Sequence, residues 1–245
     1  MITIDAKSVY YQQLNSMIKE AFKMGEKEVH LKNVGGQRYI GDGISGNQRI
    51  IIDGTPGNDM SAFMDGLEII VNGNAQDAMC NTMNDGRVIV HGNAGDTVGY
   101  ALRGGEIFIK GNVGYRVGIH MKEYMDKKPV IIVGGKAGDF FGEYMAGGIM
   151  MLLGLNLQDD EEIVGSFCGT GMHGGVIYIR GSVESYKLGK EVKLIDADES
   201  DKEIISKYVK RFCKYFDFNY DYVMNKQFKK LYPYNKRPYG NLYAY

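Results

Sequence analysis

The sequence predicts an all-β protein. It is read as a right-handed parallel β-helix, a solenoid of coils about 19 residues long, with a helix flanking it at each end. Three observations carry this. First, the 245 residues include 34 glycines but only 4 prolines. Each glycine costs backbone entropy on folding, so the excess needs a structural reason. Second, the glycines are periodic. A six-residue phrase, first seen as Arg49-Ile-Ile-Ile-Asp-Gly54, recurs with its glycine at Gly73, Gly92, Gly111, Gly135, Gly154 and Gly181. The steps are 19, 19, 19, 24, 19 and 27 residues, a regular solenoid with two loop insertions, 122–128 and 155–164. Third, side-chain character keeps register across the steps, which chance spacing would not do.

The chain divides into a helical segment, 1–28, a β-helix, 29–196, and a helical segment with a tail, 197–245. Residues 8–25 read as an amphipathic helix with Ser8 as its cap, Leu14, Ile18, Ala21 and Phe22 on one face, and Gly25 as its stop. Each phrase that follows is a short strand. Four residues before each glycine stand Ile50, Ile69, Val88, Ile107, Ile131, Met150 and Ile177. Two before stand Ile52, Val71, Val90, Ile109, Val133, Leu152 and Ile179. Strand side chains alternate, so both columns face one side, taken as the interior. Ten residues after the glycines, Met64, Met83, Leu102, Met121 and Met145 form a further core column, and six after, Met60, Met79, Val98, Val117 and Phe141 form another. Methionine is an adaptable core filler, so these columns imply packing and no metal.

The opposite strand face carries Arg49, Glu68, Arg87 and Glu106, whose alternating signs support in-register parallel stacking. It also carries an apolar row, Ile51, Ile70, Ile89, Phe108, Ile132, Met151 and Tyr178. A contiguous apolar row on an outer face implies coverage, by a helix of this chain or by a partner. Ile51, Ile70, Ile89, Phe108 and Ile132 are therefore the candidate docking face. After the strands come corners spaced Gly-x2-Gly-x3-Gly: Gly92, Gly95 and Gly99; Gly111, Gly114 and Gly118; Gly135, Gly138 and Gly142. They are expected to supply the positive φ of tight corners, with Asn74, Asn93 and Asn112 stacked as a side-chain ladder. Residues 201–215 read as the second amphipathic helix, with Ile204, Ile205, Tyr208, Val209, Phe212 and Cys213 inward, followed by a tail rich in Tyr and Lys.

Little in the composition points to chemistry. Lys plus Arg total 29 and Asp plus Glu total 30, for a net charge of −1, with no basic surplus for nucleic acid or an anionic membrane. The opening residues lack the layout of a secretory signal, and the longest apolar run, 145–155, is too short to span a bilayer, so a cytoplasmic location is expected. Cys80, Cys168 and Cys213 form no CxxC pair, which argues against a zinc site, an Fe–S cage or a disulfide framework. Two strings fit GxGxxG, Gly41 to Gly46 and Gly169 to Gly174, but neither sits between a strand and a helix, as dinucleotide binding requires. His91 shares a solvent-facing column with Asp53, Asn72, Lys110 and Arg180. His173 lies near Cys168, where a structural reading outweighs a catalytic pair. The acidic run 159–162 reads as a solvated insertion. No catalytic, cofactor or metal residue is assigned.

The corners, with Met145-Ala-Gly-Gly148 and Met172-His-Gly-Gly175 closing two coils, resemble the GXGXG domain of glutamate synthase, the C-terminal domain of its large subunit, in free-standing form. The segments 36–43, 54–59, 92–96, 114–121 and 169–175 carry the match over nearly the whole chain. The same corner repeat occurs in one of the subunits of formylmethanofuran dehydrogenase. The resemblance to glutamate synthase implies a structural role. It places glutamine hydrolysis on an amidotransferase subunit, and FMN and an Fe–S cluster on a synthase subunit. Those subunits, and a second copy of this chain, are the expected partners, with no cofactor in this chain. The alternatives are a scaffold of a molybdenum or tungsten enzyme of the formylmethanofuran type and an independent β-helix enzyme acting on polysaccharide. The last needs a groove of clustered carboxylates that the columns do not provide.

Overall fold

The computed structural model describes residues 1–158 and 160–234, and all its strands join one 11-stranded sheet. Strand β1 (Ile2–Asp5) leads into helix α1 (Tyr11–Lys23). The repeat then lays down β2 (Glu28–Gly35), β3 (Arg49–Thr55), β4 (Asp65–Asn72) and β5 (Asp85–Val90). It continues through β6 (Glu106–Ile109), β7 (Val130–Val133), β8 (Ala146–Leu152) and β9 (Gly174–Arg180). Each strand from β1 to β9 pairs in parallel with the next, so the core is a parallel β-solenoid. The register is that of the phrases: Arg49 lies beside Glu68, Glu68 beside Arg87 and Arg87 beside Glu106.

Both predicted strand columns and both post-glycine columns are buried, so the interior is a stack of Ile, Val, Leu, Met and Phe rungs. The charge row forms as alternating pairs: Arg49 to Glu68 at 2.7 Å, Arg87 to Glu68 at 2.9 Å and Arg87 to Glu106 at 3.2 Å. Glu28 on β2 extends it, 3.2 Å from Arg49.

Helix α1 places Leu14, Ile18 and Ala21 in the interior cluster, so it plugs one end of the solenoid. Ser8 is not its cap. That residue has a φ of 59°, and the helix begins only after Tyr10, without a side-chain cap. At the other end come β10 (Val192–Asp196), α2 (Glu199–Phe216), α3 (Tyr220–Met224) and β11 (Phe228–Pro233). β11 lies antiparallel between β9 and β10, so one strand running against the stack covers β9 and leaves it no open edge. The flanking segments thus contribute strands β1 and β11 as well as helices, which the helical reading of 1–28 and 197–245 did not contain. Within the tail, residues 235–245 lie outside the described residues.

α2 starts with a reciprocal capping box between Asp198 and Asp201 and ends at Asp217, whose φ is 57°. It lies across the outer sheet face. Its Ile205, Tyr208, Val209, Phe212, Cys213 and Phe216 bury Ile89, Phe108, Ile132, Met151 and Tyr178 in a second apolar layer. Asp201 fixes the helix: it accepts from Tyr178 Oη at 2.7 Å and pairs with Lys230 of β11 at 2.7 Å. Burial and this carboxylate push the Tyr178 phenol well above its ordinary pKa. Arg211 pairs with Glu106, joining the helix to the charge row.

Candidate functional site

The turns do not use glycine as the sequence suggests. Of the nine corner glycines, only Gly99, Gly118 and Gly142 have positive φ, at 67°, 72° and 72°. Gly92, Gly95, Gly111, Gly114, Gly135 and Gly138 do not, and neither do Asn74, Asn93 and Asn112. Their reason is close approach. The Asn93 N–H donates to Asn74 Oδ1 at 2.8 Å, the Asn112 N–H to Asn93 Oδ1 at 2.8 Å, and the Lys136 N–H to Asn112 Oδ1 at 3.0 Å. The asparagine ladder is therefore side chain to backbone, coil to coil. A second ladder runs beside it. The Asp96 N–H donates to Asp77 Oδ1, the Tyr115 N–H to Asp96 Oδ1 and the Ser166 N–H to Asp139 Oδ1. Each accepting oxygen occupies the space a Cβ would need on the next coil's glycine: Asn74 against Gly92, Asp77 against Gly95, Asn93 against Gly111, Asp96 against Gly114. Glycine here admits its neighbour's hydrogen bond.

The positive φ lies further along each coil, at three residues spaced two apart. They are Tyr39, Gly41 and Gly43 in the first coil, then Asp59, Ser61 and Phe63, then Ala78, Cys80 and Thr82. Next come Thr97, Gly99 and Ala101, Arg116, Gly118 and His120, Phe140, Gly142 and Tyr144, and Phe167, Gly169 and Gly171. The middle residue points inward beneath the apolar rungs. A Cβ on Gly99 or Gly142 would press on Ile131 or Ile177, and where the residue is not glycine it is a buried Ser61 or Cys80. The strings Gly41-Asp-Gly43 and Gly169-Thr-Gly171 are this alternation. They form corners, with no helix N-terminus behind them to hold a pyrophosphate.

The remaining candidates resolve into structure. Cys80 and Cys168 are buried, and burial pushes both thiols up to about 12, so neither is a nucleophile at neutral pH. His173 is exposed, its ring 3.2 Å from the Gly171 carbonyl. His91 is exposed on the outer face and sits edge-on to Phe216 at 5.2 Å. Partial burial and Lys110 lower its pKa. His30 lies 2.7 Å from Asp53, which also accepts from Asn72. Asn72 and His30 hold the Asp53 carboxyl below its ordinary pKa. Arg180 departs from the expected solvent-facing column. It is buried, donating to the carbonyls of Tyr222 and Val223 and to Asn225 Oδ1, and so ties α3 to β9.

The insertions staple coils. Lys127 pairs with Asp65 at 3.2 Å and Asp85 at 3.5 Å. Glu161 pairs with Lys136 and Glu162 with Lys187. Asp159 of the acidic run lies outside the described residues. Among the described residues no cluster of His, Cys, Asp or Glu could hold a metal, and no helix is long and apolar enough to cross a membrane.

Two faces remain open. The candidate docking row is largely taken: α2 covers Ile89, Phe108 and Ile132, Ile70 packs half-buried at the margin of the same layer, and Ile51 stays half-buried outside it. The second face is one that sequence reasoning misses. On the left-handed turns stand Tyr39, Phe63, Tyr100, Tyr115, Tyr144 and Phe167, each 37% to 54% exposed. The signal is a recurring aromatic between the corner glycines and the next strand, but without the turn's geometry these positions cannot be assigned to one side.

The sequence model of the GXGXG motif matches residues 13–236. An uncharacterized protein of Methanocaldococcus jannaschii is 45% identical over 251 aligned positions, covering 99% of this chain and 96% of its own length. Inward small residues at the centre of each left-handed turn and glycines that admit the coil-to-coil ladder account for the motif's form, and the chain belongs to the GXGXG motif family.

Proposed function

We propose that the chain is a structural component of a multi-subunit glutamate synthase and carries no reaction centre of its own. Glutamine hydrolysis then belongs to an amidotransferase subunit. Glutamate formation belongs to a synthase subunit holding FMN and an Fe–S cluster. Membership of the GXGXG family, over almost the full chain, supports the assignment to this class of complex. The observation that carries the structural role is where the ionisable groups go. Arg116 pairs with Glu143, Arg211 with Glu106, Lys187 with Glu162 and Lys230 with Asp201, each joining one coil or element to another. The half-buried Ile51 and Ile70 are the docking position for a partner subunit, because they continue an apolar row that the chain's own helix leaves unfinished.

The test is purification of the tagged chain from its native host, with cofactor analysis of what travels with it. A co-purifying flavoprotein with FMN and Fe–S absorbance, forming glutamate from glutamine and 2-oxoglutarate, is the expected result. A partner containing molybdenum or tungsten with a pterin would move the chain to the formylmethanofuran dehydrogenase type. Glutaminase activity in the isolated chain would overturn the division of labour.

A further inference from the structure

The sheet has two edges, and they differ. At β10 the strand carries Lys193, a residue type that discourages pairing with another chain. At β1 the sequence is Ile2-Thr3-Ile4-Asp5, without lysine or proline, and it pairs with β2 in unbroken register, without a bulge. The Ala6 N–H donates to the Lys32 carbonyl. Peptide groups alternate in direction along a strand, so Ile2 and Ile4 also turn theirs toward β2, and Thr3 and Asp5 turn theirs outward. Among the described residues nothing pairs with that outer side, and Thr3 and Asp5 are both exposed. An open N–H and C=O at alternate residues are what an added strand takes up.

A groove lies beside this edge. It has a volume of about 340 Å³, its surface is largely apolar, and it is lined by Ile2 and Ile4 of β1 and by Met17, Ala21 and Met24 of α1. Ile2, Met17 and Met24 are 40%, 38% and 78% exposed, so α1 plugs the interior without closing the groove. Edge and groove together call for an extended polypeptide that pairs at β1 and brings apolar side chains, at alternate positions, to the groove side. A small apolar ligand would fill the groove and leave the backbone groups unpaired.

We propose that the occupant is β1 of a second copy, so that two chains pair antiparallel about a two-fold axis at Ile4 and their sheets become one. The strand itself has the required form: Ile2 and Ile4 share the groove side, and Thr3 and Asp5 share the outer side. With the axis at Ile4, Thr3 of each copy lies opposite Asp5 of the other. These are the residues with outward peptide groups, so each such pair exchanges both of its backbone hydrogen bonds. The side chains agree with that register. A threonine hydroxyl faces a carboxylate whose Oδ1 accepts from Asn33 and from the Lys7 N–H, which leaves Oδ2 for the hydroxyl. Ile4 meets Ile4 on the groove side. An axis at Asp5 would instead set two carboxylates face to face. The inference does not depend on the glutamate synthase reading, since it concerns the edge of the sheet and not its outer face.

The test uses the purified full chain in sedimentation equilibrium, compared with Thr3→Pro and Met17→Lys variants. Proline at Thr3 removes an outward N–H and sets its ring in the path of the added strand, while the bonds to β2, made by the alternate residues, remain. Lysine at Met17 suits the helix and puts a charge into the groove, leaving β1 untouched. The expected result is a wild-type dimer at micromolar concentration, with association weakened roughly tenfold or more in each variant and melting still cooperative. In the wild type, exchange of the Thr3 and Asp5 amides should slow roughly tenfold or more between dilute and concentrated protein, while the Ile4 amide, already bonded to β2, changes less. A monomeric wild type overturns the proposal. A dimer that a folded Thr3→Pro variant leaves unchanged overturns it too, and Met17→Lys decides in the same way should the proline variant fail to fold. Species that grow beyond the dimer overturn the two-fold, because they mean that β1 pairs with β10 of the next copy in an open series.

Discussion

At Gly95, Asp77 Oδ1 of the preceding coil fills the place of the missing Cβ while it accepts the Asp96 N–H at 2.9 Å. Any side chain there must displace that oxygen and break the bond. Gly95→Ala should therefore destabilise by about 1–3 kcal/mol, the penalty for leaving a polar group unpaired together with local crowding. The cause can be separated from backbone strain because φ at Gly95 is not positive. In an Asp77→Ala background the oxygen is gone, so the cost of Gly95→Ala should fall well below its value in the wild type. Chemical denaturation of the four proteins measures this coupling. Equal costs in both backgrounds would mean that the glycine serves another constraint. The period of these glycines is legible in the sequence, but their reason is not the one it suggests. Spacing reports that a position repeats; it does not distinguish a residue chosen for its φ from one chosen because the next coil comes close.

At the level of elements, the strands were legible and the cover was partly so. Period-two alternation decides which side of each strand faces inward, and the apolar outer row requires a cover. That α2 supplies it follows from its own apolar face, but how far it reaches depends on where Asp201 anchors it to Tyr178 and Lys230. Strand β11 escapes a reading by period because Phe228 to Pro233 carries no repeat phrase and pairs antiparallel, so the spacing that finds the other strands is silent there. The limit of the cover can be tested with two substitutions on one row. Phe108 is fully buried beneath α2 and Ile51 is half-buried beyond it. Phe108→Asp should destabilise by roughly 3–5 kcal/mol, since it removes a large core side chain and brings a carboxylate into its place. Ile51→Asp should cost about 1 kcal/mol or less in the isolated chain. Urea melts of both variants decide it. Similar losses would mean that the row is covered along its whole length.

The whole molecule is a one-dimensional stack whose rungs are not equally supported. Every coil from β2 to β9 buries the same interior columns, but only β5 to β9 bury a full outer residue against α2, from Ile89 to Tyr178. In β2 to β4 the corresponding His30, Ile51 and Ile70 remain partly exposed. In a solenoid, stability is close to a sum of coil and neighbour terms, so such a difference is felt locally. Fully burying an apolar side chain is worth about 1.5–3 kcal/mol, and each 1.4 kcal/mol of opening free energy changes amide exchange about tenfold. Helix α1 does not offset this, because Leu14 and Ile18 plug the interior and leave the outer face untouched. Native-state hydrogen exchange should therefore find the amides of β3 and β4 opening at least tenfold more readily than those of β7 and β8, although all four strands lie inside the sheet. Occupation of Ile51 and Ile70 by a partner subunit should slow exchange in β3 and β4 selectively. Uniform protection in the isolated chain would mean that the stack opens as one unit, and that the uncovered end is not the weaker one.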